Sequence, residues 1–462
     1  MVIEERRPAL FLLSVGEKLK PFFYGKHYVV IVALFTAFIY YANLPLLGLT
    51  VFSLLATCHL LFYRDLSTFM PLPIFAVLLL SDFTVFNTIA PFLVLLIPFF
   101  ALISHFIIYP IKKLFVGKAL YSFIAISVAL LLGGIASPFV NNYVYGLVTS
   151  LTVGALLLFA YFLFTNYFCP PENFKASEHF CFMLLFLGVT LFLELLLPSV
   201  RDSFTFGWGS TNAGAPLLLL SICVGWYFVL YKKYSLLSLP LLAIQYVALV
   251  LSNSDACMGI AFVMTPVFLI CALFIGKVPQ RKQIVLSSLI ALLLIALIVV
   301  FSILAFSNEI RTLVNDRVLA MLDDNGRSGF YATAIDEFIK YPIFGVGQGY
   351  TNDDFFLKLS GVVTFNFHST FFHVLATMGT VGILAYGYYF FSRTRIFMLD
   401  NTPFSRFSFI AFVMLESYGA VDTCEFNVVP IMMAVTLFIV VVEMTARTKK
   451  QQLPLFDYRL GK

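Results

Sequence analysis

Two residues of this chain combine a reactive side chain with a setting that could use it. His368 lies in TFNFHSTFFHVLATMGTVG, at the mouth of a long apolar run. A neutral imidazole there can take a proton from a hydroxyl nucleophile; its bland reading is a headgroup-level histidine satisfied by water. Arg327 lies in DDNGRSGFY and opens the stretch SGFYATAIDEFIKY, which has helical spacing. A helix N-terminus offers free N–H groups, and a guanidinium beside them suits an anion such as phosphate. The plain alternative is a solvated arginine paired with Asp323 or Asp324. His373 is off the face of His368 on the same helix and reads as a packed residue. His27, His59, His105 and His179 read as structural.

Other polar groups recur between apolar runs. LSNSDACMG carries Ser254 and Asp255, and a carboxylate at that depth is a site candidate unless paired or wet. FGWGSTNAGAP follows Arg201 and Asp202, and its small residues permit close helix approach or line a polar cavity. Asp422 and Glu425 add carboxylates between the last two apolar runs, and Asp82 is a further candidate. The glycines of GVGQGY read as turn residues and not as a phosphate cradle, because no Lys-Ser/Thr follows them and no strand precedes them.

The elements that must position these groups are membrane helices. Of 462 residues, 61% are hydrophobic and 11% charged, which exceeds what a soluble core could cover. Apolar windows of about 20 residues, each able to cross about 30 Å of hydrocarbon as a helix, give about fourteen spans. They fall at 28–43, 45–62, 71–86, 88–109, 119–138, 144–165, 178–197, 212–231, 234–252, 255–275, 284–306, 369–391, 407–422 and 427–446. The fold class is therefore all-α, a polytopic bundle of about 12–14 transmembrane helices. With the N-terminus inside, every Lys and Arg falls on the inner side except Arg201, Arg311, Arg317, Arg327, Lys340 and Lys358. That is the positive-inside bias, and it places both termini in the cytoplasm and all the candidate groups above at the outer leaflet. The net charge of +5 reports this orientation and implies no nucleic-acid partner. Residues 1–26 are polar and basic, with no cleavable signal pattern, and the seven cysteines show no metal or disulfide spacing.

One connection is long. Residues 307–368 form a large outer loop between an N-terminal bundle, 1–306, and the C-terminal helices and tail, 369–462. IRTLVNDRVLAML places Ile310, Leu313, Val314, Arg317 and Met321 at helical spacing, so the loop is expected to carry two helices lying on the outer surface.

NGRSGFYATAIDEFIKYPIFGVGQGY followed by FNFHSTFFHVLATMGTVGILAY resembles the C-terminal signature of the O-antigen ligase and O-antigen polymerase superfamily. The matching positions are Arg327, Pro342, Gly345, Gly347, Gly349, His368, Ser369, Gly379 and Gly382. The resemblance implies a glycosyltransferase at the outer face of a bacterial cytoplasmic membrane. Its donor would be a lipid-diphosphate-linked oligosaccharide and its acceptor a glycan or a lipid, in contact with membrane lipids and with no cofactor. It also implies that Arg327 and His368 are functional, with a second arginine after a serine at the outer end of a mid-chain span. Here that place reads Ser254-Asp255-Ala256, so Arg201, Arg311 or Arg317 would stand in. Ser254, Asp255, Ser369 and Asp422 complete the expected substrate-binding set.

These residues support attack by an acceptor hydroxyl on the anomeric carbon of an undecaprenyl-diphosphate sugar. Arginines would stabilise the departing diphosphate and His368 would take the proton, with inversion and without a metal. The favoured expectation is polymerisation of surface-polysaccharide repeat units. The alternatives are ligation of finished polysaccharide to an acceptor and transport of a polyisoprenoid-linked glycan. A cell-wall glycan polymerase using an outer carboxylate, Asp422 or Glu425, is a further rival.

Overall fold

The computed structural model describes residues 7–79, 89–135, 137, 140–196, 211–231, 235–252, 254–275, 279, 282–283, 287, 290, 327–348, 350, 367–423, 425–426 and 429–451. Apolar runs that cannot hydrogen-bond to lipid must satisfy their own backbone, and among the described residues every regular element is a helix. In chain order these are α1 (Arg7–Phe23), α2 (Lys26–Tyr41), α3 (Pro45–Phe62), α4 (Pro71–Leu79), α5 (Ala90–Ile108), α6 (Leu120–Leu132), α7 (Val140–Asn166), α8 (Ala176–Leu196), α9 (Thr211–Tyr231), α10 (Ser235–Leu251) and α11 (Asp255–Ile275). After them come α12 (Arg327–Lys340), α13 (Thr370–Phe397), α14 (Pro403–Val421) and α15 (Val429–Gln451).

Each expected span overlaps one of these helices except 284–306, which lies outside the described residues apart from single positions; of 71–86 only the part to Leu79 is described. Six of the helices are by themselves long and apolar enough to cross a membrane, and α1 with α2 forms a pair bent by 71°. The protein is an all-α, multi-pass membrane bundle. The stretch expected as a polar tail is partly structured: α1 packs on α3.

α13 organises the C-terminal half, packing against α6, α12, α14 and α15. It is broken at Gly379 (φ 61°, ψ −152°) with no proline to cause the break. The cause is the Gly345–Gly347 turn, which enters the opened helix. The Ala376 and Thr377 carbonyls accept from the Val346 and Gly347 N–H groups at 2.8 and 2.9 Å. On the other side of the break, the Thr380 and Val381 N–H groups donate to the Pro342 and Ile343 carbonyls at 2.8 and 3.2 Å. Backbone groups freed by the break are thus re-satisfied, as the membrane interior demands. A Cβ at Gly345 would lie 2.3 Å from the Ala376 carbonyl oxygen, and one at Gly379 would lie 2.6 Å from that of Ile343. Only glycine fits at these two crossings, both at positive φ. The glycines expected to make a simple turn therefore join loop to helix.

Candidate functional site

The loop helix α12 lies on the N-terminal half of α13. A small core of Ala334, Val346, Tyr350, Phe367 and Ala376, flanked by Phe330, Tyr341 and Phe372, fixes it there. Of the two expected loop helices this is the second; the stretch of the first, 310–321, lies outside the described residues.

His368 sits immediately before α13, at φ 49°. A non-glycine residue in the left-handed region is uncommon and marks a position that its surroundings hold in place. Three neighbours do so. The Phe330 ring packs on the imidazole with centroids 5.0 Å apart. The Tyr331 hydroxyl donates to the His368 carbonyl at 3.1 Å, while the Tyr331 ring stacks on Phe372. The His368 Nδ1 lies 3.3 Å from Asp422 Oδ1, with the imidazole about one third exposed and the carboxylate nearly buried. A carboxylate only accepts, so Nδ1 carries the proton and the basic lone pair stays on Nε2.

Asp422 ends α14, far along the chain. Its Oδ2 accepts from the Tyr418 hydroxyl at 3.1 Å and its Oδ1 from the Thr423 N–H at 2.7 Å. Burial pushes this carboxyl up, but the hydrogen bond and charge of His368, with the Thr423 and Tyr418 donors, outweigh it and hold the group below its ordinary value. Asp422 was expected as a substrate-binding carboxylate on the same face, not as the partner of His368. Its pairing with His368 depends on how α13 and α14 pack, which local spacing does not report.

Arg327 is the first residue of α12 and is half-buried. Phe330 and Tyr331 follow it by three and four positions, so all three share one face of the helix. Because Phe330 and Tyr331 touch His368, Arg327 and the first turn of α12 lie one turn from the imidazole. Among the described residues Arg327 has no salt-bridge partner. Asp323 and Asp324, its expected alternative partners, lie outside them.

The remaining candidates divide. Ser369 is buried at the N-cap position of α13 but makes no side-chain cap bond. Ser254 is buried just before α11, and Asp255 is exposed as its first residue. α11 packs on α14, and the Asp422 charge reaches Cys257, so Ser254 and Asp255 stand at the same end of the bundle as the His368–Asp422 pair. Arg201 and Arg317, and with them Arg311 and Asp82, lie outside the described residues. His373 is packed, as its spacing implied: it is fully buried, with Nε2 2.9 Å from Gln348 Oε1. The Gly345 N–H donates to the Tyr341 carbonyl and the Val346 and Gly347 N–H groups to α13 carbonyls, so none of the three is available to a phosphate.

Residues 239–387, from α10 through α12 into α13, match the O-antigen ligase family. This part of the chain, about a third of it, is similar to that family. The ligase-family segment holds Ser254, Asp255, Arg327, His368 and Ser369, whereas Asp422 lies beyond it. No curated protein matches the chain. With the helix bundle, the match supports a membrane enzyme of the O-antigen ligase type, acting in polysaccharide synthesis.

Proposed function

We propose that the protein is a glycosyltransferase that uses an undecaprenyl-diphosphate-linked oligosaccharide at the outer face of the cytoplasmic membrane, with both termini in the cytoplasm. The observation that carries this reading is the His368–Asp422 pair lying beneath the first turn of α12. The pair holds the imidazole with Nε2 basic, and the covering turn brings Arg327 and the positive end of the α12 dipole, suited to a diphosphate.

In the reaction, the acceptor hydroxyl oxygen forms a bond to the anomeric carbon of the donor sugar. The bond from that carbon to the diphosphate oxygen breaks, and its electron pair leaves with the carrier lipid. The hydroxyl proton passes to His368 Nε2 and then to solvent. Asp422 stabilises the imidazolium as it forms, as the carboxylate does in other base–carboxylate pairs. Arg327 and the α12 N-terminus stabilise the charge growing on the diphosphate. A single displacement inverts the anomeric centre, and fixed cations supply the charge that a metal would otherwise supply.

The acceptor is read as the growing repeat-unit polymer, which makes the enzyme a polymerase. The family match favours a second reading, ligation of finished polysaccharide to another acceptor. It also favours an enzyme over a transporter. A deletion strain separates the readings: a polymerase leaves single repeat units, a ligase leaves long chains on the carrier lipid, and a transporter leaves chain length unchanged. For the site itself, purified His368→Ala and Arg327→Ala are assayed with a lipid-diphosphate oligosaccharide. Wild-type turnover in either removes that residue from its role.

A further inference from the structure

Arg393 belongs to α13, beyond the break at Gly379. Counted with the inner basic residues by sequence, it is instead completely buried. Its NH2 nitrogen is 2.9 Å from Glu416 of α14, and its NH1 nitrogen pairs with Glu425 of the α14–α15 connection. Its guanidinium lies over the Tyr389 ring, 4.0 Å from the centroid, and near that of Phe412. Glu416 also accepts from the Tyr386 hydroxyl at 2.9 Å. One cation thus faces two carboxylates inside an apolar bundle.

Such a cluster is a poor stabiliser, because desolvation offsets much of the attraction and well-packed apolar residues often serve as well. Its placement is more telling. Glu425 stands three residues after Asp422 on one short connection. Phe426, at φ 67°, packs against Tyr386 and Tyr389 of α13. The connection is therefore pulled into the bundle at Glu425 and Phe426, and it presents Asp422 to His368 at its other end.

We infer that Arg393 is a positioning residue: through Glu425 it anchors the α14–α15 connection so that the Asp422 carboxylate meets the His368 imidazole. One connection then ties both halves of α13, His368 ahead of the break and Arg393 after it, into a single arrangement. Glu416 belongs to α14 and not to the connection, and serves as the second counter-charge that keeps Arg393 in place. This inference rests on the reading of His368 and Asp422 given above.

Glu425→Met and Glu416→Met separate these roles, because each leaves Arg393 with one carboxylate and a neutral pair. With the full-length protein and a lipid-diphosphate-linked oligosaccharide, Glu425→Met is expected to lower kcat at least about tenfold at nearly unchanged KM. Glu416→Met is expected to keep kcat within about threefold. In an Asp422→Asn background, Glu425→Met is expected to add little, since both changes act through one imidazole. Should Glu425→Met fail to fold, Glu425→Gln keeps the volume and loses the charge, and a smaller drop in kcat alone is expected. Equal effects of the two methionine variants, or losses that multiply with Asp422→Asn, overturn the inference. So does wild-type kcat in both Glu425 variants while Asp422→Asn is impaired. Wild-type kcat in Asp422→Asn itself overturns the underlying reading instead.

Discussion

Replacing Asp422 by Asn leaves an acceptor for the His368 Nδ1–H but removes the charge. The two groups are 3.3 Å apart. At an effective dielectric constant of about 20, a full charge pair at that distance is worth about 5 kcal/mol. The imidazole is about one third exposed, so solvent screening reduces this to about 2–3 kcal/mol. That energy acts on the imidazolium formed as the acceptor proton is taken, and so on the transition state more than on the bound substrate. Asp422→Asn should therefore lower kcat about 30–150-fold, with KM changed less than about threefold. The assay is steady-state turnover of a lipid-diphosphate-linked oligosaccharide, with product chain length resolved by gel or mass spectrometry. A kcat within twofold of wild type refutes the pairing argument, and so does a loss carried only by KM.

His368→Ala should lose about 10²–10⁴ in kcat, more than Asp422→Asn, and Asp422→Asn should add little to it in the double variant. Arg327→Ala should lose about 10²–10³ in turnover, with Arg327→Lys recovering only part because an ammonium lacks the guanidinium fork. Tyr331→Phe removes one hydrogen bond to the His368 carbonyl and should cost about 1 kcal/mol, read as a drop of about fivefold in kcat. Because the Asp422 carboxyl is held below its ordinary value, its stabilising contribution is present above the ordinary carboxylate range and lost only as pH falls through the lowered value. Melting temperature in detergent should thus show no loss from this group between neutral pH and pH 5, and Asp422→Asn should flatten the decline below that. Gly379→Ala, which puts a methyl group against the Ile343 carbonyl at positive φ, should destabilise by more than about 2 kcal/mol by the same melting assay.

What was legible in the sequence is what local pattern encodes. Apolar windows placed the helices closely, because hydrocarbon leaves the backbone no other solution. Arg327 and His368 stood out because their types and neighbours are unusual at the edge of an apolar run. The Asp422 partnership was not legible, since it arises where the end of α14 meets the start of α13. Arg393 misled for a related reason: hydropathy assigns an arginine near the end of a span to the aqueous side, and only tertiary packing supplies the two carboxylates that let it stay buried. The Gly345–Gly347 stretch read as a turn because each glycine permits one. That the turn would enter a broken helix depended on Gly379, a residue that carries no helix-breaking signal as strong as proline.

The most direct measurement is a structure of the protein with a non-transferable lipid-diphosphate oligosaccharide bound. The account predicts the diphosphate against the Arg327 guanidinium and the first turn of α12, with the anomeric carbon within one sugar of His368 Nε2. A diphosphate bound away from α12, or an anomeric carbon out of reach of His368, would contradict it.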